Sequence, residues 1–217
     1  MKKCIVLANG TPPKKSVIKY LNDKDYKTLY CADGGANTAF KLNIVPDYII
    51  GDLDSITDNV KEYYSDKSKI IKYTRQDDTD VEKCLKHAIG KGFTEAVLIG
   101  GTGDRLDHSF CNLGIVLKFF DEIKIKVLHQ ASVLEAMTGK INLKTVAGET
   151  ISLYGFDRKT KITSTGLKYS LDSTALPFGE RESTSNYATG NSVNLKITGG
   201  KIFVVRLFEI LRKHDLF

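Results

Sequence analysis

Acidic and glycine-rich residues recur in this 217-residue sequence as short groups, each lying just after a β-rich apolar run. Asn9-Gly10 follows the first run, Asp33-Gly34-Gly35-Ala36-Asn37 the second and Gly51-Asp52-Leu53-Asp54-Ser55 the third. Asp77-Asp78-Thr79-Asp80 follows the fourth, and Gly100-Gly101-Thr102-Gly103-Asp104-Arg105-Leu106-Asp107-His108 the fifth. In open α/β sheets ligands bind outside the carboxyl ends of the strands, where loops and helix N-termini converge. Carboxylates crowded there repel one another by kilocalories per mole at low effective dielectric, so the grouping makes sense with cations bound among them. Magnesium suits such hard oxygen donors. Two carboxylates spaced as Asp52-x-Asp54 can flank one ion, which usually takes its remaining ligands from water and nucleotide phosphates. Arg75 and Arg105 supply guanidinium groups that can meet phosphate oxygens.

Each group also has a plainer reading. Thr79-Asp80-Val81-Glu82 matches a capping box, which accounts for Thr79 and Glu82 without a ligand and leaves Asp77 and Asp80 for a metal or substrate. Asp33-Gly34-Gly35 reads equally as a turn with an N-capping Asp. Two familiar phosphate loops fail. Lys15-Ser16 has the end of a Walker A loop, but Asn9 and Lys14 occupy its glycine positions; Gly101-x-Gly103 lacks a third glycine, since position 106 is Leu. Of the histidines, His87 and His214 read as solvated, and His108 sits in a motif.

The elements that must carry these loops alternate. Strands are expected at Cys4-Ala8, Thr28-Cys31, Tyr48-Ile50, Lys69-Lys72, Ala96-Ile99 and Ile123-Leu128, with helical spacing between most of them. Val81, Cys84, Leu85, Ala88 and Ile89 make one apolar stripe, and Leu106, Phe110, Leu113 and Leu117 another. Strands joined through helices need right-handed crossovers, so residues 1–130 predict an α/β domain with a mostly parallel sheet of about six strands flanked by helices. After residue 130 the period shortens to two. Glu149 to Phe156 and Lys159 to Leu167 read as strands without a convincing helix. Ser192 to Thr198 alternates strictly, Gly199-Gly200 offers a hairpin turn, and Lys201 to Leu207 returns. Residues 131–217 therefore predict a small antiparallel β-sandwich.

Composition excludes several classes. The net charge of +6 divides into +2 before residue 131 and +4 after it, with no basic run longer than two residues, so no nucleic-acid partner is expected. The longest apolar run is Cys4 to Ala8, too short for a membrane span or a secretory leader. Cys4, Cys31, Cys84 and Cys111 form no CxxC pair and fall in apolar segments, as buried thiols of a cytoplasmic protein would.

Together the motifs resemble the thiamine pyrophosphokinase family. The resemblance rests on Cys31-Ala32-Asp33-Gly34-Gly35-Ala36-Asn37, Gly51-Asp52-Leu53-Asp54-Ser55-Ile56, Gln76-Asp77-Asp78-Thr79-Asp80 with Lys83-Cys84-Leu85, and Gly101-x-Gly103-x-Arg105-x-Asp107-His108. Thr165-Gly166-Leu167-Lys168-Tyr169 and Ser183-Thr184-Ser185-Asn186 continue it. It implies transfer of the pyrophosphoryl group of ATP to the hydroxyl of thiamine, giving thiamine diphosphate and AMP. By position it implies that Asp52, Asp54 and Asp80 hold Mg²⁺ and act in catalysis with Arg105 and Asp107. Asp33, Gly34, Asn37, Asp77, Arg105, Asp107 and His108 would line the ATP site, and Tyr169, Ser185 and Asn186 would face thiamine. It further implies a homodimer with thiamine bound between subunits, the second domain contributing to both thiamine binding and dimerisation. Two positions depart from the family pattern: Tyr169 stands where Trp is frequent, and Gln76 where a basic residue is frequent. A rival reading of Asp52-x-Asp54 is a metal-dependent glycosyltransferase acting on a nucleotide sugar.

Overall fold

The computed structural model describes residues 1–74, 77–103 and 105–217. Two compact units result, Met1–His129 and Gln130–Phe217.

In the first unit six strands pair in parallel: β1 (Lys3–Leu7), β2 (Thr28–Ala32), β3 (Tyr48–Gly51), β4 (Lys69–Lys72), β5 (Glu95–Ile99) and β6 (Lys124–His129). Their spatial order is β6-β5-β1-β2-β3-β4. The chain therefore winds outward from β1 to β4, then crosses back to the other side of β1, placing a switch point between β1 and β5. There the following loops are zipped together, with Gly10 N donating to Gly100 O at 2.7 Å and Thr11 N to Thr102 O at 2.8 Å. β1 and β5 are almost wholly buried and read as continuous apolar runs, as strands covered on both faces must. At the edge, Ile70 and Ile71 of β4 lie between exposed lysines, Lys69 and Lys72, which discourage pairing with another sheet.

Helices α1 (Lys15–Asp23), α2 (Gly35–Lys41), α3 (Asp58–Tyr64), α4 (Asp80–Gly90) and α5 (Leu106–Lys118) fill the connections. α4 packs on β1, β2 and β3 through Val81, Cys84, Leu85 and Ala88, the stripe its spacing predicts. Its capping box is present, with Thr79 and Glu82 each bonding the other's backbone N–H. α5 departs from expectation. Leu106 and Phe110 are 72% and 65% exposed, and the helix buries Asn112, Ile115 and Val116 instead. Asn112 Nδ2 donates to Gly101 O at 2.6 Å, which fixes the helix's rotation in favour of a polar anchor over its most apolar face. Cys111 is correspondingly exposed, while Cys4, Cys31 and Cys84 are buried. His87 is not solvated either. It is half-buried against Tyr48 and Tyr30, with ring centroids 4.9 and 5.7 Å away, and burial is the main cause holding its pKa below the ordinary histidine value.

The second unit contains β7 (Ser132–Lys144), β8 (Thr150–Tyr154), β9 (Lys161–Thr165), β10 (Thr174–Ala175), β11 (Ser183–Tyr187), β12 (Ser192–Leu207) and a terminal helix α6 (Phe208–Lys213). β12 runs antiparallel to β7 along nearly its whole length. Its first half borders β9 and its second half β8, all antiparallel. β12 and β7 thus tie these antiparallel strands together over one core that includes Leu143, Ile151, Leu153, Ile162, Val193, Leu195, Ile197, Ile202 and Val204.

The expected hairpin at Gly199-Gly200 does not form, because both glycines lie inside β12. Between the pairs Ile197–Gly139 and Ile202–Met137, β12 advances five residues while β7 advances two. The bulge shifts inward-facing positions from odd numbers (Val193, Leu195, Ile197) to even ones (Ile202, Val204), so both halves of one strand serve the same core. Gly199 adopts φ +83°, and a Cβ there would lie 2.6 Å from Lys159 O. Among the described residues no helix is long and apolar enough to cross a membrane. Gly199→Ala is predicted to lower unfolding stability by about 1–3 kcal/mol, measured by urea denaturation. A wild-type midpoint would show that the bulge tolerates a side chain.

Candidate active site

The acidic loops of the first unit meet at the carboxyl ends of β2 and β3 and the start of α4. Asp33 leaves β2 at φ +38°. Its side chain does not cap α2, whose N-cap is Gly34 without a side-chain bond. Instead its buried carboxyl accepts Ser55 N at 2.9 Å and Ile56 N at 3.1 Å. Asn37, one helical turn on, holds the same loop from the other side: Nδ2 donates to Ser55 O at 2.9 Å, and Oδ1 accepts from Thr57 N at 3.1 Å. The segment carrying Asp52 and Asp54 is therefore fastened at Asp33 and Asn37. A Cβ on Gly51 would stand 2.7 Å from Asp33 Cβ and 3.1 Å from Asp80 Cγ, so only glycine lets the two acids flank the strand end.

Oxygens of Asp33, Asp52 and Asp80 all lie within 4.8 Å of one another. Of the three positions expected from the sequence to hold a metal, Asp52 and Asp80 belong to this trio. Asp54 stands outside it, exposed, with Oδ1 accepting the Ser55 hydroxyl at 2.9 Å. Burial is the main cause raising the Asp33 pKa, with contributions from Asp54 and Asp80. The Asp54 pKa is lowered, first by the Ser55 hydroxyl and then by Asp33. Lys83 Nζ sits 2.8 Å from Asp80 Oδ1 with its side chain buried.

A cleft of about 1060 Å³ opens over these acids, lined also by Asn9, Gly34, Asp77, Thr102, Arg105, Asp107 and His108. Arg75, Gln76 and Asp104 lie outside the described residues. Arg105 pairs with Asp107 through two hydrogen bonds, its Nε lying 3.2 Å from Oδ1. That guanidinium lowers the Asp107 pKa to about 2. Lys118 Nζ lies 2.7 Å from Glu82 Oε1. Each lysine or arginine lining the cleft among the described residues is thus already held by a carboxylate. The sequence quoted Lys83 within a motif but gave it no partner, and the Lys118–Glu82 pair and the contact of Thr102 Oγ1 with His129 Nδ1 at 2.6 Å escaped the sequence reading. For Lys83, a lysine three residues after an acid on one helix face was the available signal.

In the second unit Tyr169 is 61% exposed, with Lys168 Nζ 5.4 Å from its ring centroid. Ser185 is exposed, at φ +53°, and donates its N–H to Ser152 Oγ at 2.9 Å. Asn186 is buried, and its amide is fully engaged within the chain. Oδ1 accepts from Tyr169 N and Tyr187 N, and Nδ2 donates to Tyr169 O and Ser183 Oγ. It fastens the Tyr169 segment.

Because Asp107 owes its low pKa first to Arg105, Arg105→Gln is predicted to move its titration midpoint from about 2 up toward the ordinary carboxylate value, read by carbon NMR. Any stability carried by this pair would be present at neutral pH and lost as pH falls through the folded-state pKa. An unmoved midpoint would assign the shift to another cause.

Two family models match this chain: the catalytic domain of thiamin pyrophosphokinase over residues 19–128, and the vitamin B1 binding domain of thiamin pyrophosphokinase over residues 138–202. Thiamin pyrophosphokinase 1 of Caenorhabditis elegans is 31% identical over 198 residues, covering 84% of this chain and 80% of that protein. Among solved structures, thiamin pyrophosphokinase from Candida albicans superposes with TM-score 0.81 at 17% identity, covering 94% of this chain and 88% of that one. The Bacillus subtilis enzyme gives TM-score 0.81 at 22% identity, covering 95% and 99%; at these identities the two structures speak for the fold. The glycosyltransferase reading finds no support in these matches. An α/β unit and an antiparallel unit, each carrying its own motifs in order and matched by its own family model, make this chain a member of the thiamin pyrophosphokinase family.

Proposed function

We propose that this enzyme transfers the pyrophosphoryl group of ATP to the hydroxyl of thiamine, giving thiamine diphosphate and AMP. The alcohol oxygen bonds to the β-phosphorus, the bond from that phosphorus to the α,β-bridging oxygen breaks, and AMP leaves with the electron pair. The hydroxyl proton passes to a base. The observation that carries this reading is the convergence of Asp33, Asp52 and Asp80 at one strand-end cleft. Such transfers ask little covalent work of the protein, so placing the reactants and neutralising charge dominate.

The donor set fits Mg²⁺: three carboxylates offer hard oxygens within 4.8 Å, and one of them, Asp33, is buried among acids that a cation would relieve. Asp33, Asp52 and Asp80 would hold the ion, with Asp54 two residues beyond Asp52 on the same loop. When bound it supplies positive charge against the β and γ phosphate oxygens. Gly34, Asp77, Arg105, Asp107 and His108 line the same cleft and are assigned to the nucleotide. Asn37 positions the acidic loop. Tyr169 offers an exposed ring face for thiamine and Ser185 an exposed hydroxyl, while Asn186 holds the segment from which Tyr169 projects. We assign the first unit to ATP and metal, the second to thiamine and dimerisation, and the chain to the cytoplasm.

Incubation with ATP, Mg²⁺ and thiamine is expected to release AMP in equal amount to thiamine diphosphate. Asp54→Asn and Asp80→Asn should each cost at least about a hundredfold in kcat with circular dichroism unchanged. Thiamine-independent AMP release, or wild-type turnover of both variants at limiting Mg²⁺, would refute the assignment.

The homodimer has its own test. Sedimentation should report about twice 24.1 kDa. Mixing Asp54→Asn chains with Tyr169→Ala chains, at thiamine too dilute for the Tyr169→Ala protein to turn over appreciably, should restore part of the activity if one site draws on both subunits. No recovery after verified subunit exchange would place each site within one chain.

A further inference from the structure

Lys83 lies one turn into α4, and its side chain is only 2% exposed. An ammonium so far from water is costly unless a carboxylate compensates it, and three converging carboxylates are costly without positive charge. The two problems meet at Asp80, whose Oδ1 lies 2.8 Å from Lys83 Nζ and whose carboxylate belongs to the trio with Asp33 and Asp52. The other cations of the cleft are engaged elsewhere, Lys118 on Glu82 and Arg105 on Asp107.

We propose that Lys83 is the resident counter-cation of this cluster, a positioning residue that offsets part of its negative charge so that a divalent ion is held weakly until nucleotide phosphates accompany it. The inference rests on the reading of the trio as a metal site. Lys83 and Asp80 are three residues apart on one helix and the lysine side chain is buried, which keeps the ammonium beside Asp80. A bare divalent ion must share Asp80 with a fixed positive charge and is repelled by it. A triphosphate adds negative charge on the open side of the cluster and offsets that repulsion. The site therefore favours the metal–nucleotide complex over the free ion.

Binding of Mn²⁺ to the full chain, followed by electron paramagnetic resonance with and without α,β-methylene-ATP, tests this without turnover. Wild type should bind Mn²⁺ weakly alone and much more tightly with the nucleotide analogue. Lys83→Met and Lys83→Gln should each bind Mn²⁺ alone about tenfold or more tighter than wild type, shrinking the analogue's effect. Gln keeps a donor toward Asp80 without the charge, so agreement of the two variants assigns the effect to charge. It also stands as the deciding variant if the Met protein fails to fold by circular dichroism. Nucleotide-free affinity in Lys83→Gln equal to or below wild type would overturn the proposal. Wild-type protein that takes no Mn²⁺ even with the analogue would instead remove the metal site itself, and the inference with it.

Discussion

The first unit's acidic edge depends on the buried carboxyl of Asp33. Two backbone N–H groups from the next strand's loop point at it, so the geometry of β2 dictates where Asp52 and Asp54 can stand. Removing this acceptor would leave the buried Ile56 N–H unpaired at the acidic edge, at a cost of about 1–3 kcal/mol. Asn37 repeats the fastening one turn later. The result is a loop on which a left-handed non-glycine residue, Leu53 at φ +67°, persists because its neighbours are held on both sides.

Each cation lining the cleft at that edge among the described residues already has a carboxylate partner. Lys83 answers Asp80, Lys118 answers Glu82, and Arg105 answers Asp107. Under the proposed function, a nucleotide entering the cleft would meet cations with existing partners, and a phosphate oxygen would have to share a cation or displace its carboxylate. Discrimination between ligands then depends on how well they exchange partners, which favours groups of high charge density such as a triphosphate.

The strands of the first unit were legible because parallel strands buried on both faces read as short apolar runs, and β1 to β6 fall where such runs occur. α4 was legible because its burial follows its apolar spacing. α5 was not, because one hydrogen bond from Asn112 to Gly101 sets its rotation, and a lone Asn carries no periodic signal. Gly199-Gly200 misled for a related reason. A glycine pair marks a departure from regular backbone, whereas whether the chain reverses or only bulges depends on partners far away in sequence, here Lys159 and Gly139. Candidate residues on named motifs could be listed from sequence. Which acids converge could not, since Asp33, Asp52 and Asp80 meet only through strand order.

The long bulged strand of the second unit has a mechanical consequence. β12 pairs with β7 along nearly its whole length and in its successive halves with β9 and β8, so the hydrogen bonds of both flanking strands run along one continuous strand. Fraying begun beside β9 would travel through the bulge to β8, which makes the unit a single cooperative block with respect to hydrogen exchange and proteolysis. A break in the backbone at the glycine pair would divide that block into two halves, each lacking the strand that completes it.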